Sequence, residues 1–173
     1  TSAALVSRVH AGDLEAAFVA EPFPARDLEA QHVFNERLVL ITPPSVRSAR
    51  SARDIERMTV VAFASGCSYR RRLEEWFASA DCVPTLVIET ASYHALVACV
   101  AAGMGVAFVP QSTLRTLRAD GAIKVHALPS RIARTRTQLV WRKGHRSLTL
   151  DALRRTVPRP PSAARLQAGT DVT

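Results

Sequence analysis

The run Gly66-Cys67-Ser68-Tyr69-Arg70-Arg71-Arg72 holds the densest set of side chains able to do chemistry. It follows an apolar stretch at 59–64 and precedes a helical pattern, so it reads as a strand-to-helix turn. Such a turn aims backbone N–H groups at one spot, and the helix dipole makes that spot favourable for an anion. Three arginines in the first turn oppose the same dipole, and a docked anion would relieve part of that conflict. A plainer account pairs Arg70 and Arg71 with Glu74 and Glu75 one turn on, for only a few tenths of a kcal/mol. Cys67 invites a second chemistry, because a thiol at a helix N-terminus beside arginines becomes reactive and could sense oxidants or act as a nucleophile. No His-Asp or His-Asn pair accompanies it in sequence, so a small cysteine lining a pocket is the favoured role. No catalytic residue is assigned.

The rest of the chain offers little competing chemistry. His10, His32, His126 and His145 show no ligand spacing, and His94 lies on an apolar helix. Neither a Gly-x-x-x-x-Gly-Lys loop nor a dinucleotide fingerprint is present, so no metal and no cofactor is expected. The formal charge is +8, yet the excess is arginine strewn along most of the chain, with Lys124 and Lys143 the sole lysines. A scattered excess attracts polyanions weakly but makes no reading surface, and a groove-reading helix is missing. Direct contact of this chain with nucleic acid is therefore not expected. No stretch approaches the roughly 18 apolar residues of a membrane span. No secretory pattern opens the sequence, and Cys67, Cys82 and Cys99 are an odd set without pairing logic. Reduced thiols in the cytoplasm follow.

These residues must be positioned by a mixed architecture. Helices are expected at 3–11, 51–58, 69–80, 93–102, 113–117 and 148–157, with strands at 14–19, 31–35, 37–42, 59–64, 85–90, 106–109, 123–128 and 138–141. In the helix at 69–80, Leu73, Trp76, Phe77 and Ala80 fall on one face. The helix at 93–102 is apolar almost all round, so cover on both of its faces is expected; Ser92 caps its start and Gly103 its end. Strands alternating with helices through the middle argue for an α/β chain with a mainly parallel sheet. The Pro- and Ala-rich stretch at 158–173 lacks periodicity and reads as a loose tail.

Two segments carry a resemblance. Val-His-Ala-Gly-Asp-Leu-Glu-Ala-Ala-Phe-Val at 9–19 runs from helix through an acidic Gly-Asp-Leu-Glu turn into a strand. The stretch at 89–110 links a strand, a polar turn and a helix through Ala-Ala-Gly-Met-Gly to a strand ending Val-Pro. Together they resemble the effector-binding domain of LysR-type transcriptional regulators. The resemblance implies a two-lobed fold like type II periplasmic binding proteins, its first lobe incomplete at the N-terminus. Residues 1–45 and 141–157 would form that lobe and 46–140 the second, with crossings near 42–45 and 139–143. It places the turn holding Gly66 and Cys67 at the lip of a cleft between lobes. There Ser68 and the neighbouring backbone would bind a carboxylate or similar group, and Tyr69 would wall the pocket. Ser2 is the matching position on the other lobe. Thr90 and Ser92 should face the same cleft, with ordinary helix capping an equally good account of both.

The implied function is sensing of a small, anionic effector by a cytoplasmic regulator that works as a homodimer or tetramer. Its DNA contacts would lie in an N-terminal helix-turn-helix domain not contained in this sequence. Three other readings are a solute-binding protein of a transport system, an enzyme using Cys67, and a non-functional truncated regulator.

Overall fold

The computed structural model describes residues 1–117 and 121–158. The tail expected at 158–173 therefore lies, Pro158 apart, outside the described residues. In chain order the elements are α1 (Ser2–Ala11), β1 (Ala16–Ala20), β2 (Leu28–Thr42), a 3-10 turn (Ala52–Ile55), β3 (Val60–Ala62), α2 (Ser68–Ala78), β4 (Val87–Glu89), α3 (Tyr93–Ala101), β5 (Ala107–Pro110), α4 (Gln111–Leu117), β6 (Lys124–Ala127), α5 (Ser130–Ala133), β7 (Arg134–Arg142) and α6 (Leu148–Thr156).

One strand organises everything. β2 runs for 15 residues, and its pairing changes along its length. Up to Arg37 it lies antiparallel to β7, which in turn pairs antiparallel with β1. From Leu38 onward it is flanked by β5 on one side and β6 on the other, both antiparallel. Among the described residues, parallel pairing is confined to β3 with β4 and to the bridge from Val60 to Val106, the residue before β5. The expectation of a mainly parallel sheet is thus corrected. The helix–strand alternation is real, but the two longest strands, β2 and β7, pair antiparallel with each other although the whole second lobe lies between them in sequence. The segments expected at 31–35 and 37–42 merge into β2, which is continuous through Glu36 and has a register shift between His32 and Phe34.

The pairing change defines two lobes, and each packs helices on both faces of its sheet. In the first, Val6 and Val9 of α1 press on Ala17, Val19 and Val140, while Leu150 of α6 presses on Leu139, Trp141 and Val33. In the second, Leu73, Trp76 and Phe77 of α2 meet Leu38, Leu40, Phe108 and the 3-10 turn. The opposite face holds Leu96, Val97 and Val100 of α3 against Val39, Ile41 and Val109. β2 changes partners at Arg37–Leu38, and β7 begins opposite that point at Arg134. The apolar run Leu38-Val-Leu-Ile41 is buried on both faces because it sits mid-sheet in the second lobe.

Other elements deviate for local reasons. β4 is an edge strand with Val87 and Ile88 half-buried, whereas its β-branched composition suggested full burial. Phe18 of β1 is exposed, although it lies within an apolar run that read as a buried strand. α3 buries one stripe and leaves His94, Ala95 and Ala98 exposed, so its apolar look comes from alanines and its cover is one-sided. Its exit is tight. A Cβ on Gly105 would sit 2.3 Å from the Thr59 carbonyl oxygen, which explains a glycine in the Ala-Ala-Gly-Met-Gly link.

Candidate functional site

α2 and α3 both begin where a parallel strand of the second lobe ends, so both point their N-termini to the same side of that sheet. Their starts differ in chemistry. Ser92 accepts a hydrogen bond from the His94 N–H at 3.2 Å, and Thr90 Oγ1 accepts one from the Ser92 N–H at 3.4 Å. α1 and α6 are capped in the same way, by Thr1 and Ser147. α2 has Cys67 at its cap position, and that side chain makes no capping bond. The first-turn N–H groups of Ser68, Tyr69 and Arg70 have no hydrogen-bond partner among the described residues. This leaves a concentrated patch of donors and partial positive charge.

Two cavities meet at that helix start. One, of about 270 Å³, lies between the lobes and is lined by Thr1, Ser2, Leu5, Phe18, Ala20 and Thr137 from the first and by Cys67, Ser68 and Tyr69 from the second. The other, of about 190 Å³, reaches from Ala3 and the Pro22-Phe23-Pro24 loop to Gly66, Cys67, Arg70 and Arg71. Cys67 and Ser68 border both. Gly66 takes a φ of +88°, which an L side chain rarely adopts, and a Cβ there would meet Ala3 at 3.0 Å.

The lobes are stitched together just behind the cleft. Ser68 Oγ lies 2.6 Å from the Ala20 carbonyl oxygen and 3.2 Å from that of Pro22, so its hydroxyl proton is shared with first-lobe backbone. The Ala3 N–H donates to the Gly66 carbonyl at 3.2 Å. Arg72 Nε donates to the Glu21 carbonyl at 3.4 Å, and its Nη1 to the Arg131 carbonyl at 3.1 Å. Ser2 Oγ accepts from the Ala20 N–H at 3.3 Å, holding the edge of β1 against α1. Glu21 is itself anchored by Arg136 at 3.0 Å and by Gln138.

The arginines of the turn are engaged by protein groups. Arg70 bonds Glu74 at 2.9 Å, the Phe63 carbonyl at 3.3 Å and, most closely, Glu89. Arg71 pairs with Glu75 at 3.3 Å. The plainer account of these side chains therefore describes what they do. What the α2 start offers an anion is backbone N–H rather than guanidinium.

Tyr69 is half-buried against the second-lobe core. Burial first, and then the charge of Glu36, push its hydroxyl up to about 12. Burial raises Tyr93 in the same direction; that ring meets Phe63 edge-on at 4.8 Å. Both phenols stay neutral, able to donate a hydrogen bond at neutral pH. Among the described residues, no group of His, Cys, Asp and Glu is arranged to hold a metal.

A model described as the LysR substrate binding domain matches residues 1–159. The chain belongs to that family. This LysR-family chain is 29% identical over 131 residues to the HTH-type transcriptional regulator GltR of Bacillus subtilis, covering 76% of the chain and 44% of GltR. It is 36% identical over 126 residues to the HTH-type regulator YofA of Bacillus velezensis, covering 72% and 42%. The chain thus spans less than half the length of these curated relatives. Among solved structures, the regulatory domain of CcmR from Synechocystis, in complex with 2-PG, superposes with a TM-score of 0.75 at 20% identity, over 94% of this chain and 82% of that one. The reduced regulatory domain of OxyR2 from Vibrio vulnificus gives 0.71 at 18% identity, over 88% and 73%. At such identities the likeness concerns the fold, which is the two-lobed type II periplasmic-binding-like arrangement.

Of the residues singled out by sequence, Ser2, Cys67, Ser68 and Tyr69 line the inter-lobe cavity, and Gly66 lines its neighbour. Thr90 and Ser92 border neither cavity and cap α3. Sequence reading passed over Thr137, Phe18 and Thr1. Thr137 stands in Arg134-Thr-Arg-Thr-Gln138, whose alternation with arginine was the available signal that its own face is not the charged one.

Proposed function

We propose that this chain is the effector-sensing part of a LysR-type transcriptional regulator, with a small anionic molecule held between the lobes at the start of α2. The observation that carries this reading is the uncapped first turn of α2 opening beside a cavity shared by both lobes. In this reading the ligand's acid group takes the free N–H donors of Ser68 and Tyr69, and the Tyr69 ring forms one wall. Ser2 and Thr1 complete the rim from the first lobe, while Thr90 and Ser92 shape the neighbouring turn.

Binding there alters how the lobes are held. An anion drawn onto the α2 start competes with the Ser68 and Arg72 bonds to the loop at 20–22, so occupancy and lobe orientation are linked. In a complete regulator, homodimeric or tetrameric, that change of orientation would pass to helix-turn-helix domains on DNA. Support comes from the relatives, which are transcriptional regulators. Proteins of the same fold also carry small molecules, 2-PG in CcmR and sulfate in one form of the OxyR2 regulatory domain. The chain itself acts as a sensor rather than an enzyme and works in the cytoplasm. Among the described residues, no helix is long and apolar enough to cross a membrane.

The test is a titration of the chain with simple anions, followed through the backbone amide resonances of Ser68, Tyr69 and Arg70. Saturable shifts at these three amides are expected. Shifts confined to surface arginines, or none at all, would sink the assignment.

A further inference from the structure

The second lobe carries a regular feature that the cleft does not use. Three triplets stand in tandem after the Pro43-Pro44 pair: Ser45-Val46-Arg47, Ser48-Ala49-Arg50 and Ser51-Ala52-Arg53. The structure gives each place in the triplet one role. Val46, Ala49 and Ala52 pack into the core that holds Leu38 and Ile132, and both alanines are fully buried. Arg47, Arg50 and Arg53 each follow one of these anchors and are exposed, so a period of three sets them along the outside of the strap. Asp54 fixes its bend. The carboxylate accepts the Arg50 and Ser51 N–H groups at 2.7 and 3.0 Å, and Ser51 Oγ accepts the Arg53 N–H at 3.3 Å.

The same arrangement leaves the arginines short of counter-charge, because the nearest acid in sequence is committed to backbone. Among the described residues, Arg53 has only Asp81, at 3.9 Å, while Arg47, Arg50 and Arg57 make no ion pair. Lys124 adds to the row, its Nζ donating to the Arg47 carbonyl at 2.8 Å. The first-turn arginines of α2 are different, since Glu74, Glu75 and Glu89 pair with Arg70 and Arg71. Cations held at a set spacing by a packed backbone repel one another, and a partner of matching spacing relieves them. A row already rigid loses little entropy when that partner arrives.

We propose that this strap is a docking surface for an extended acidic segment of a partner protein, with carboxylates three residues apart lying against Arg47, Arg50 and Arg53. Arg47 and Arg50 stand at most about 10 Å apart along the backbone, the reach of three extended residues, and such a segment repeats at that interval. The 3-10 turn draws Arg53 nearer, within range of a long acidic side chain. Each guanidinium can hold a carboxylate through two parallel hydrogen bonds, and Ser45 and Ser48 lie exposed beside them as further donors. The charge pattern argues against two other occupants. A second copy of the chain carries the same +8, and none of its 15 acids has another three residues along. A nucleic-acid duplex would press a broad phosphate surface onto the exposed Asp54 and Asp81 beside the row. No residue of the cleft takes part, so the proposal stands apart from the effector reading above.

Fluorescence anisotropy of the 173-residue chain with a labelled peptide of three Glu-Ser-Ala repeats tests it. The comparisons are a peptide of the same composition with its glutamates contiguous, and a short labelled DNA duplex. The repeat peptide should bind at least about threefold more tightly than the contiguous one, the gain from spacing. Arg47→Ser with Arg50→Ser should weaken it about tenfold, and added salt should weaken it too. Arg47→Lys with Arg50→Lys keeps the charge but not the paired donors, and should lose only about twofold to threefold. Arg8→Ser with Arg155→Ser removes the same charge from exposed positions elsewhere and should leave binding within about twofold. If the two peptides bind alike, or the Arg8 and Arg155 changes weaken binding as much, net charge alone accounts for it and the proposal is overturned. It is overturned also if the duplex binds more tightly than the peptide and loses affinity with Arg47 and Arg50, which would make the strap a nucleic-acid contact.

Discussion

α2 and α3 are built alike and finished differently. Each follows a strand of the second-lobe sheet, each buries a stripe of large apolar residues, and each opens toward the side where the first lobe sits. At α3, Ser92 takes the His94 N–H and Thr90 the Ser92 N–H, while the N–H groups of Tyr93 and Ala95 have no partner among the described residues. At α2 a cysteine occupies the cap position and leaves three donors unclaimed, while Ser68 just inside is committed to the other lobe. The difference is one capped donor, and it teaches that a single side chain at the cap position sets how many N–H groups a helix start leaves open.

The two helices should be equal in their anchoring. Leu73→Ala in α2 and Leu96→Ala in α3 remove fully buried side chains, and each should cost about 2–5 kcal/mol in denaturant unfolding. A loss in only one would mean that the helices differ in packing as well as in their starts. Next in size is the inter-lobe bond. Ser68→Ala should cost about 1–2 kcal/mol, since it strips donors from the Ala20 and Pro22 carbonyls, and should expand the chain in solution scattering. Unchanged dimensions would show that Arg72 and Ala3 suffice to hold the lobes.

The caps themselves give smaller and more pointed effects. Ser92→Ala should destabilise by about 1 kcal/mol, whereas Cys67→Ala should be close to neutral because no capping bond is lost. Cys67→Ser goes the other way: a new cap should stabilise α2 by several tenths of a kcal/mol and weaken anion binding, because it claims a donor the ligand needs. A serine variant that binds anions as well as the parent would break the contrast between the two helix starts. The smallest effect lies in pH. Tyr69 is raised above its usual value of 10 by burial, so the stability that comes from keeping it neutral is intact below pH 10 and lost as pH rises through about 12. Ultraviolet titration of Tyr69→Phe against the parent checks this; a phenol ionising near pH 10 in both lobes' shared cavity would mean the ring is wet.

Much of this was open to sequence reading, and the reasons for the rest are specific. Helix starts and stops at Ser92 and Gly103 follow local rules of capping, and local rules can be read from a single chain. The turn at 66–69 was legible for the same reason, being glycine and small polar residues between two periodic segments. Strand direction was not, because pairing joins residues far apart: Leu28 meets Arg142 and Leu38 meets Pro110. The floor of the cleft shared that fate. Phe18 looks like any core phenylalanine and Thr137 like any surface threonine until register sets them on one face. The arginines misled in another way, since their partners Glu89 and the Glu21 carbonyl come from other elements.

β2 has a mechanical meaning beyond its place in the topology. Because one continuous strand belongs to both sheets, the lobes cannot turn relative to each other as bodies on a loose tether. Any rotation has to be absorbed as a change of twist within that strand near Arg37, between ladders that hold it fixed on either side. Phe34 lies three residues from that point and pairs with Thr137 of the cavity wall, so the strand next to the cleft is also the torsion bar through which occupancy would be felt.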